Sequence, residues 1–430
     1  MQNERKVLVS ALLKAEKSGY SNIVLDNILK EAELDSKGKS FVTTAFYGVL
    51  ERKISIDFLL NKFLKKPIAK TPPYTSAVLR SGVYQIVYMD KIPNSAACNE
   101  AVKLIKKSKE HGNTGLVNAV LRAVCTNNYN EIIGNSAAES VKYSVNDWIY
   151  NRLTEQYPKE KVNAFFENSL LPPPVFIRIN TLKENALQTV LNELNQIGAT
   201  VSPTEINDFY AIKNIKNVES LKTYKSGMFF VQDFSSRLAV AALSPKSGER
   251  ILDCCAAPGG KTFSIAMDMQ NTGEVVSLDI HSHRVELIKK GARRLDLENI
   301  TADVNDATCY NKDFGVFDRV ICDVPCSGIG VIRRKPEIKY KSEAECSKLP
   351  EIQKEILSIA SQYVKTGGRL VYSTCTLLKE ENDSVVNAFL DNNKDFKLVS
   401  VLNKADNATV TFMPPEDCGD GFFVAVMERA

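Results

Sequence analysis

From about residue 232 onward the sequence alternates short β-rich runs with helical ones, and this rhythm limits the possible fold more than any other feature. Strands are expected at Arg250–Asp253, Glu274–Asp279, near Ile300, at Asp318–Asp323 and at Arg369–Ser373. Helical runs fall between them at Lys261–Met269, Ser282–Leu295 and Leu349–Val364. Asp233-Phe-Ser-Ser236, ahead of the first strand, reads as a helix cap. Strands joined through helices of this length are expected to lie parallel in a doubly wound, Rossmann-like α/β sheet. Such sheets take ligands outside the carboxyl ends of their strands. Asp253, Asp279 and Asp323 fall at those ends, and Cys375 falls just past one.

The loop after the first strand, Asp253-Cys-Cys-Ala-Ala-Pro-Gly-Gly-Lys261, excludes two common nucleotide sites. It lacks the Gly-x-Gly-x-x-Gly spacing of a dinucleotide fingerprint, and Cys255 stands where a phosphate-binding P-loop needs glycine. What remains is a tight turn, Cys255, Ala256, Ala257, Pro258, Gly259, Gly260 and Lys261, whose glycines let backbone approach a ligand at a helix start. Asp279 is placed to accept both ribose hydroxyls of an adenosine. Asp306, in Asn305-Asp-Ala-Thr, is placed to bond the adenine amino group, with Asp303 as the competing choice. This acidic series fits S-adenosylmethionine better than a triphosphate. Cys322-x-x-x-Cys326 is not a zinc-knuckle spacing and His281-x-His283 is the only paired histidine, so no metal is expected.

Residues 1–139 are expected to form an all-helical domain. Apolar positions recur at helical spacing in Val7-Leu8/Leu12-Leu13, Phe41-Val42/Ala45-Phe46/Val49-Leu50 and Val78-Leu79/Val83/Ile86-Val87. Met1 to Tyr20 reads as an amphipathic helix and not as a signal peptide. Residues 140–231 are expected to be a small α+β module, with a helix around Asp147–Leu170 and a strand at Val175–Asn180. Its job is not written in its residues. Residues 232–430 complete the α/β domain. Residues 1–140 carry 20 Lys/Arg against 13 Asp/Glu, and the rest 35 against 38. A basic helical module fits an RNA-contacting appendage, and a solvated helical face fits the charge equally well. No run of about 18 apolar residues predicts a membrane span. The ten cysteines, without a disulfide framework, fit a reducing cytosol. Nothing in the sequence requires an oligomer.

The N-terminal pattern, with Gly112-Asn-Thr-Gly-Leu-Val-Asn-Ala-Val-Leu-Arg122, resembles the NusB fold as it occurs fused to RNA methyltransferases. Asp253-Cys-Cys-Ala-Ala-Pro-Gly-Gly-Lys, Asp323-Val-Pro-Cys-Ser-Gly and Ser373-Thr-Cys-Thr with Glu381-Asn382 resemble the RNA cytosine-5 methyltransferases of the NOL1/NOP2/Sun class. The one local departure noticed is Cys254, where such loops often carry a larger apolar residue. The resemblance covers essentially the whole chain and implies small-subunit ribosomal RNA as partner, cytosine-967 as target and S-adenosylmethionine as cofactor. It implies Cys375 as nucleophile at carbon 6 and Cys326 as the residue assisting release. Spacing alone leaves that order open, since DNA cytosine-5 methyltransferases attack with the cysteine of the Pro-Cys motif. Asp323 is expected at the cytosine N3, Lys261 near the cofactor carboxylate or a thiolate, and Arg333-Arg-Lys335 at phosphates. The alternatives are an RNA-binding assembly factor with an inactive domain, or the same chemistry on transfer RNA.

Overall fold

The computed structural model describes residues 3–18, 21–215, 217–401 and 408–430. It divides into two compact units, residues 1–155 with 334–343, and residues 156–333 with 344–430.

In the first unit, helices Glu4–Ser18, Ser21–Glu31, Ser36–Glu51, Lys53–Phe63, Pro73–Tyr88, Asn94–Lys106 and Thr114–Thr126 close around one apolar core that includes Leu8, Phe46, Leu60, Leu79 and Leu121. The expected helix over 1–20 is seen as Glu4–Ser18; residues 1, 2, 19 and 20 lie outside the described residues. Asp35 caps the third helix by accepting from the Gly38 N–H at 2.7 Å. Close packing requires Gly48, where a Cβ would stand 1.9 Å from the Tyr84 ring. Arg80, buried, is held between Asp57 (2.7 Å) and Glu16 (2.6 Å), so its charge is paired.

Residues 334–343 belong to this unit although they follow the Pro-Cys motif in sequence. Tyr340 accepts from the Lys53 N–H at 3.1 Å and donates to the Leu50 carbonyl. The Trp148 indole donates to the Lys341 carbonyl at 2.7 Å. Lys339 is fully buried, and that burial pushes its pKa down to about 7.

The second unit holds two sheets. The smaller is antiparallel, in the order β2 (Thr200–Pro203), β3 (Phe209–Lys213), β1 (Val175–Ile179), β4 (Phe229–Val231), with helix Ala186–Gln196 on its core. The helix expected around Asp147–Leu170 is two helices, Asp147–Gln156 and Lys159–Asn168. Pro158 breaks it, because a proline ring disfavours helical backbone in the residue before it.

The larger sheet has a parallel centre of β9 (Val364–Thr374), β8 (Phe317–Asp323), β5 (Arg250–Asp253), β6 (Glu274–Asp279) and β7 (Ile300–Val304). It is not parallel throughout. β12 (Phe422–Arg429) pairs antiparallel with β9, and β10 (Phe396–Leu398) and β11 (Thr409–Phe412) pair antiparallel with β12. Among the described residues no helix lies between β10, β11 and β12, so these three pair without a parallel crossover. The helices expected at Lys261–Met269 and Leu349–Val364 are Gly260–Asp268 and Leu349–Gln362. Ser282–Leu295 is as expected.

Candidate active site

The parallel registers bring the acidic strand ends to one edge. Asp253 ends β5 opposite Ser277 and Ile321, Asp279 ends β6, and Asp323 ends β8 opposite Ser373 of β9. Cys375 follows β9 by one residue. The loop after β5 is held across both neighbouring strands, since Cys254 N donates to Ile321 O (3.0 Å) and Ala256 N to Leu278 O (2.8 Å). The turn closes as Gly259 N donates to Ala256 O (2.8 Å). Gly259 has φ +110°, a left-handed conformation, and a Cβ there would stand 2.4 Å from the Phe263 ring. At Gly260, the first helical residue, a Cβ would meet nothing within 4 Å. Of the rest of the turn, Ala256 is buried, Cys255 and Ala257 are half-buried and Pro258 is exposed.

Asp253 is fully buried. Its Oδ2 accepts from Thr262 Oγ1 (2.8 Å), while its Oδ1 has no partner among the described residues. Burial pushes its carboxyl up to about 7. Asp279, also buried, accepts from the His281 N–H (3.1 Å) and lies 3.2 Å from Arg284, which also donates to the Ala257 carbonyl (3.1 Å). Arg284 therefore ties this carboxylate to the loop, a link that sequence spacing did not reveal. Asp306 lies just past β7 and is exposed; its Oδ1 accepts from the Thr308 N–H (3.0 Å) and hydroxyl (2.7 Å), which hold the carboxyl below its ordinary value. Asp303 sits within β7, opposite Leu278, and is also exposed.

Cys326 and Cys375, 49 residues apart, meet with their sulfurs 3.0 Å apart. Hydrogen bonding to Cys375, then burial, then charge on Cys375, and after these the carboxylates of Glu381 and Asp323, push the Cys326 thiol well above its ordinary value. Lys261 donates to Asp323 Oδ2 at 2.7 Å, and Ser373 Oγ donates to Asp323 Oδ1 at 3.0 Å. Burial opposes the Lys261 ammonium, but the Asp323 carboxylate outweighs it and leaves that pKa raised. The two cysteine loops are stitched together by Gly330 N to Cys375 O (2.9 Å) and by a 2.6 Å bond between the Ser327 and Thr376 hydroxyls. Ser236, Ser373 and Gln353 are site neighbours that sequence reasoning did not assign. Ser236, 3.4 Å from the Lys261 ammonium, and Gln353 are polar residues far in sequence from the motifs they serve, whereas Ser373 lies within its own motif, two residues before Cys375.

The cationic run divides. Arg333 donates to the Leu171 (3.0 Å) and Pro172 (2.6 Å) carbonyls, while Arg334 and Lys335 belong to the other compact unit. Chemically, the edge offers two touching sulfurs, one able to attack and one to resolve, beside a carboxylate–ammonium pair able to hold a polar ring. No helix among the described residues is long and apolar enough to cross a membrane.

Known proteins resemble this chain along nearly its whole length. The family model for 16S rRNA methyltransferase RsmB/F matches residues 240–428, that for the NusB family residues 2–126, and that for the RsmF/B-like ferredoxin-like domain residues 145–213. The probable ribosomal RNA small subunit methyltransferase B of Bacillus subtilis (strain 168) is 36% identical over 442 residues, covering 99% of this chain and 98% of the relative. The ribosomal RNA small subunit methyltransferase B of Escherichia coli (strain K12) is 31% identical, with the same two coverages. Among solved structures, PH0851 superposes with a TM-score of 0.85 at 25% identity, covering 100% of this chain and 99% of its own. NSun6 from Pyrococcus horikoshii with SFG shares the fold at a TM-score of 0.60 and 20% identity, over 66% of this chain and 98% of its own.

Proposed function

Because this chain belongs to the 16S rRNA methyltransferase RsmB/F family, we propose that it methylates carbon 5 of a cytosine in small-subunit ribosomal RNA through a covalent cysteine adduct. The observation that carries this reading is the 3.0 Å contact between Cys326 and Cys375 at the strand ends. Carbon 5 is a poor nucleophile while the ring is aromatic. Addition of the Cys375 thiolate at carbon 6 breaks the aromaticity, and carbon 5 becomes enamine-like. After methylation the carbon-5 proton passes to solvent with Cys326 assisting, its C–H electron pair re-forms the carbon 5–carbon 6 double bond, and the Cys375–carbon 6 bond breaks with the thiolate as leaving group. Asp323 meets the ring at N3, and the Lys261 ammonium, 2.7 Å from that carboxylate, brings positive charge beside the base and favours a thiolate.

The residues fit S-adenosylmethionine, whose sulfonium methyl supplies the group transferred. The open space at Gly260 leaves room against the helix start. The buried Asp279 suits hydroxyl donors of a ribose, and the carboxylates along the edge suit a nucleoside and not a phosphate. We assign cofactor contacts to residues 255–261, Asp279, Asp306 and Asp323, with Asp306 at the adenine. The reading implies a cytoplasmic monomer.

The test is methyl transfer from labelled S-adenosylmethionine to small-subunit RNA, with the product nucleotide mapped. The expected product is 5-methylcytosine at one position, cytosine-967 by the family pattern. Transfer only to transfer RNA, or none, contradicts the proposal. Asp279→Ala is expected to weaken cofactor binding by about 1–3 kcal/mol, the scale for removing a partner of buried polar groups. Calorimetric affinity equal to wild type contradicts the ribose role.

A further inference from the structure

The loop that carries Cys326 is fastened by a buried carboxylate. Glu381 is 1% exposed, and its Oε2 accepts both the Ser327 N–H (2.9 Å) and Gln353 Nε2 (2.8 Å). Gln353, fully buried on helix Leu349–Gln362, also donates to the Pro325 carbonyl at 2.9 Å. Cys326 therefore lies between two residues tied to one clamp. The Tyr372 hydroxyl donates to the Glu381 carbonyl at 2.6 Å and fixes the carboxylate's own backbone. Burying a carboxylate is costly. A neutral amide here would accept the same two bonds through one oxygen without that cost. What it would not supply is negative charge beside Cys326.

The charges around the sulfur pair are unequal. Cys326 faces Cys375, Glu381 and Asp323, and all of them disfavour a negative charge on it. The cation of the site, Lys261, is bonded to Asp323, and its field acts on Cys375. Two touching thiols cannot both ionise easily, so a charge placed on one side selects the other.

We propose that Glu381 is the positioning residue that decides which sulfur attacks: its buried carboxylate, fastened to the Cys326 loop at the Ser327 N–H, disfavours attack by Cys326 and leaves it to Cys375. This rests on the methyltransferase reading for its consequence, which is that nucleophile and release roles are assigned by Glu381 and not by the cysteines themselves.

The test measures sulfur ionisation without RNA or cofactor. In full-length protein carrying Cys375→Ala, the alkylation rate of Cys326 by iodoacetamide is followed against pH by peptide mass spectrometry. Adding Glu381→Gln is expected to lower the midpoint by about one pH unit, so that alkylation below the midpoint is about tenfold faster. Gln353→Met in the same background removes two clamp bonds but keeps the charge, and is expected to leave the midpoint unlowered. An unchanged midpoint in Glu381→Gln, or an equal fall in both variants, overturns the proposal. A midpoint that falls in Gln353→Met overturns it even where Glu381→Gln does not fold. Failure of wild type to methylate small-subunit RNA would instead strike the functional reading and leave this measurement standing.

Discussion

Methyl transfer is expected to fall by a factor on the order of 10⁴ or more in Cys375→Ala, with cofactor affinity within about twofold of wild type. The size follows from the chemistry. Without a sulfur at carbon 6 the cytosine ring stays aromatic, and no other group at the edge is a comparable nucleophile. Cys326 is 3.0 Å away, but hydrogen bonding, burial and adjacent carboxylates hold it as a thiol. The cofactor loop hangs from β5, β6 and β8 and makes none of its named bonds to Cys375, so binding should survive. Single-turnover transfer of a labelled methyl group, read beside calorimetric cofactor binding, checks both parts. Turnover within tenfold of wild type would remove Cys375 from the nucleophile's role.

The second large effect is on stability. Asp323→Ala strips the partner from Lys261, whose side chain is only 10% exposed, and leaves an ammonium facing the sulfurs with no carboxylate at 2.7 Å. Removing one member of a buried pair costs about 3–5 kcal/mol, and the 29% exposure of Asp323 puts this case near 3. Most of the loss is the stranded charge and not the lost attraction. Asp323→Ala combined with Lys261→Met should therefore recover most of it, although activity stays lost. Urea denaturation of the single and double variants checks this. A double variant less stable than Asp323→Ala contradicts the stranded-charge account.

The strand ends were legible because the pattern that makes a strand also fixes where it stops. β5 and β6 match Arg250–Asp253 and Glu274–Asp279, and placing Asp253, Asp279 and Asp323 at strand ends needed only strand–helix alternation. β9 was read short. Gly367-Gly368 looks like a breaker, yet the strand runs from Val364 to Thr374, supported by β8 on one side and β12 on the other. The antiparallel edge of β10, β11 and β12 was not seen, since its strands are short and pair with residues far away in sequence.

Within the site, motifs marked the residues with distinctive chemistry but not their partners. Lys261 and Asp323 lie 62 residues apart and Gln353 and Glu381 lie 28 apart, separations at which no local periodicity survives. Arg333 was read from its charge as a phosphate contact, and its partners in the fold, the Leu171 and Pro172 carbonyls, could not be read from its sequence position. A side chain's identity told which bonds it could make; only the fold told with whom.

The central claim is that the two sulfurs have distinct, ordered roles, and adduct trapping tests it most directly. Wild type, Cys326→Ala and Cys375→Ala would each be incubated with small-subunit RNA and S-adenosylmethionine, denatured, and examined for a protein–RNA adduct. The account predicts that Cys326→Ala alone accumulates the adduct, because it can attack but not release. Accumulation by Cys375→Ala instead would reverse the two roles and contradict it.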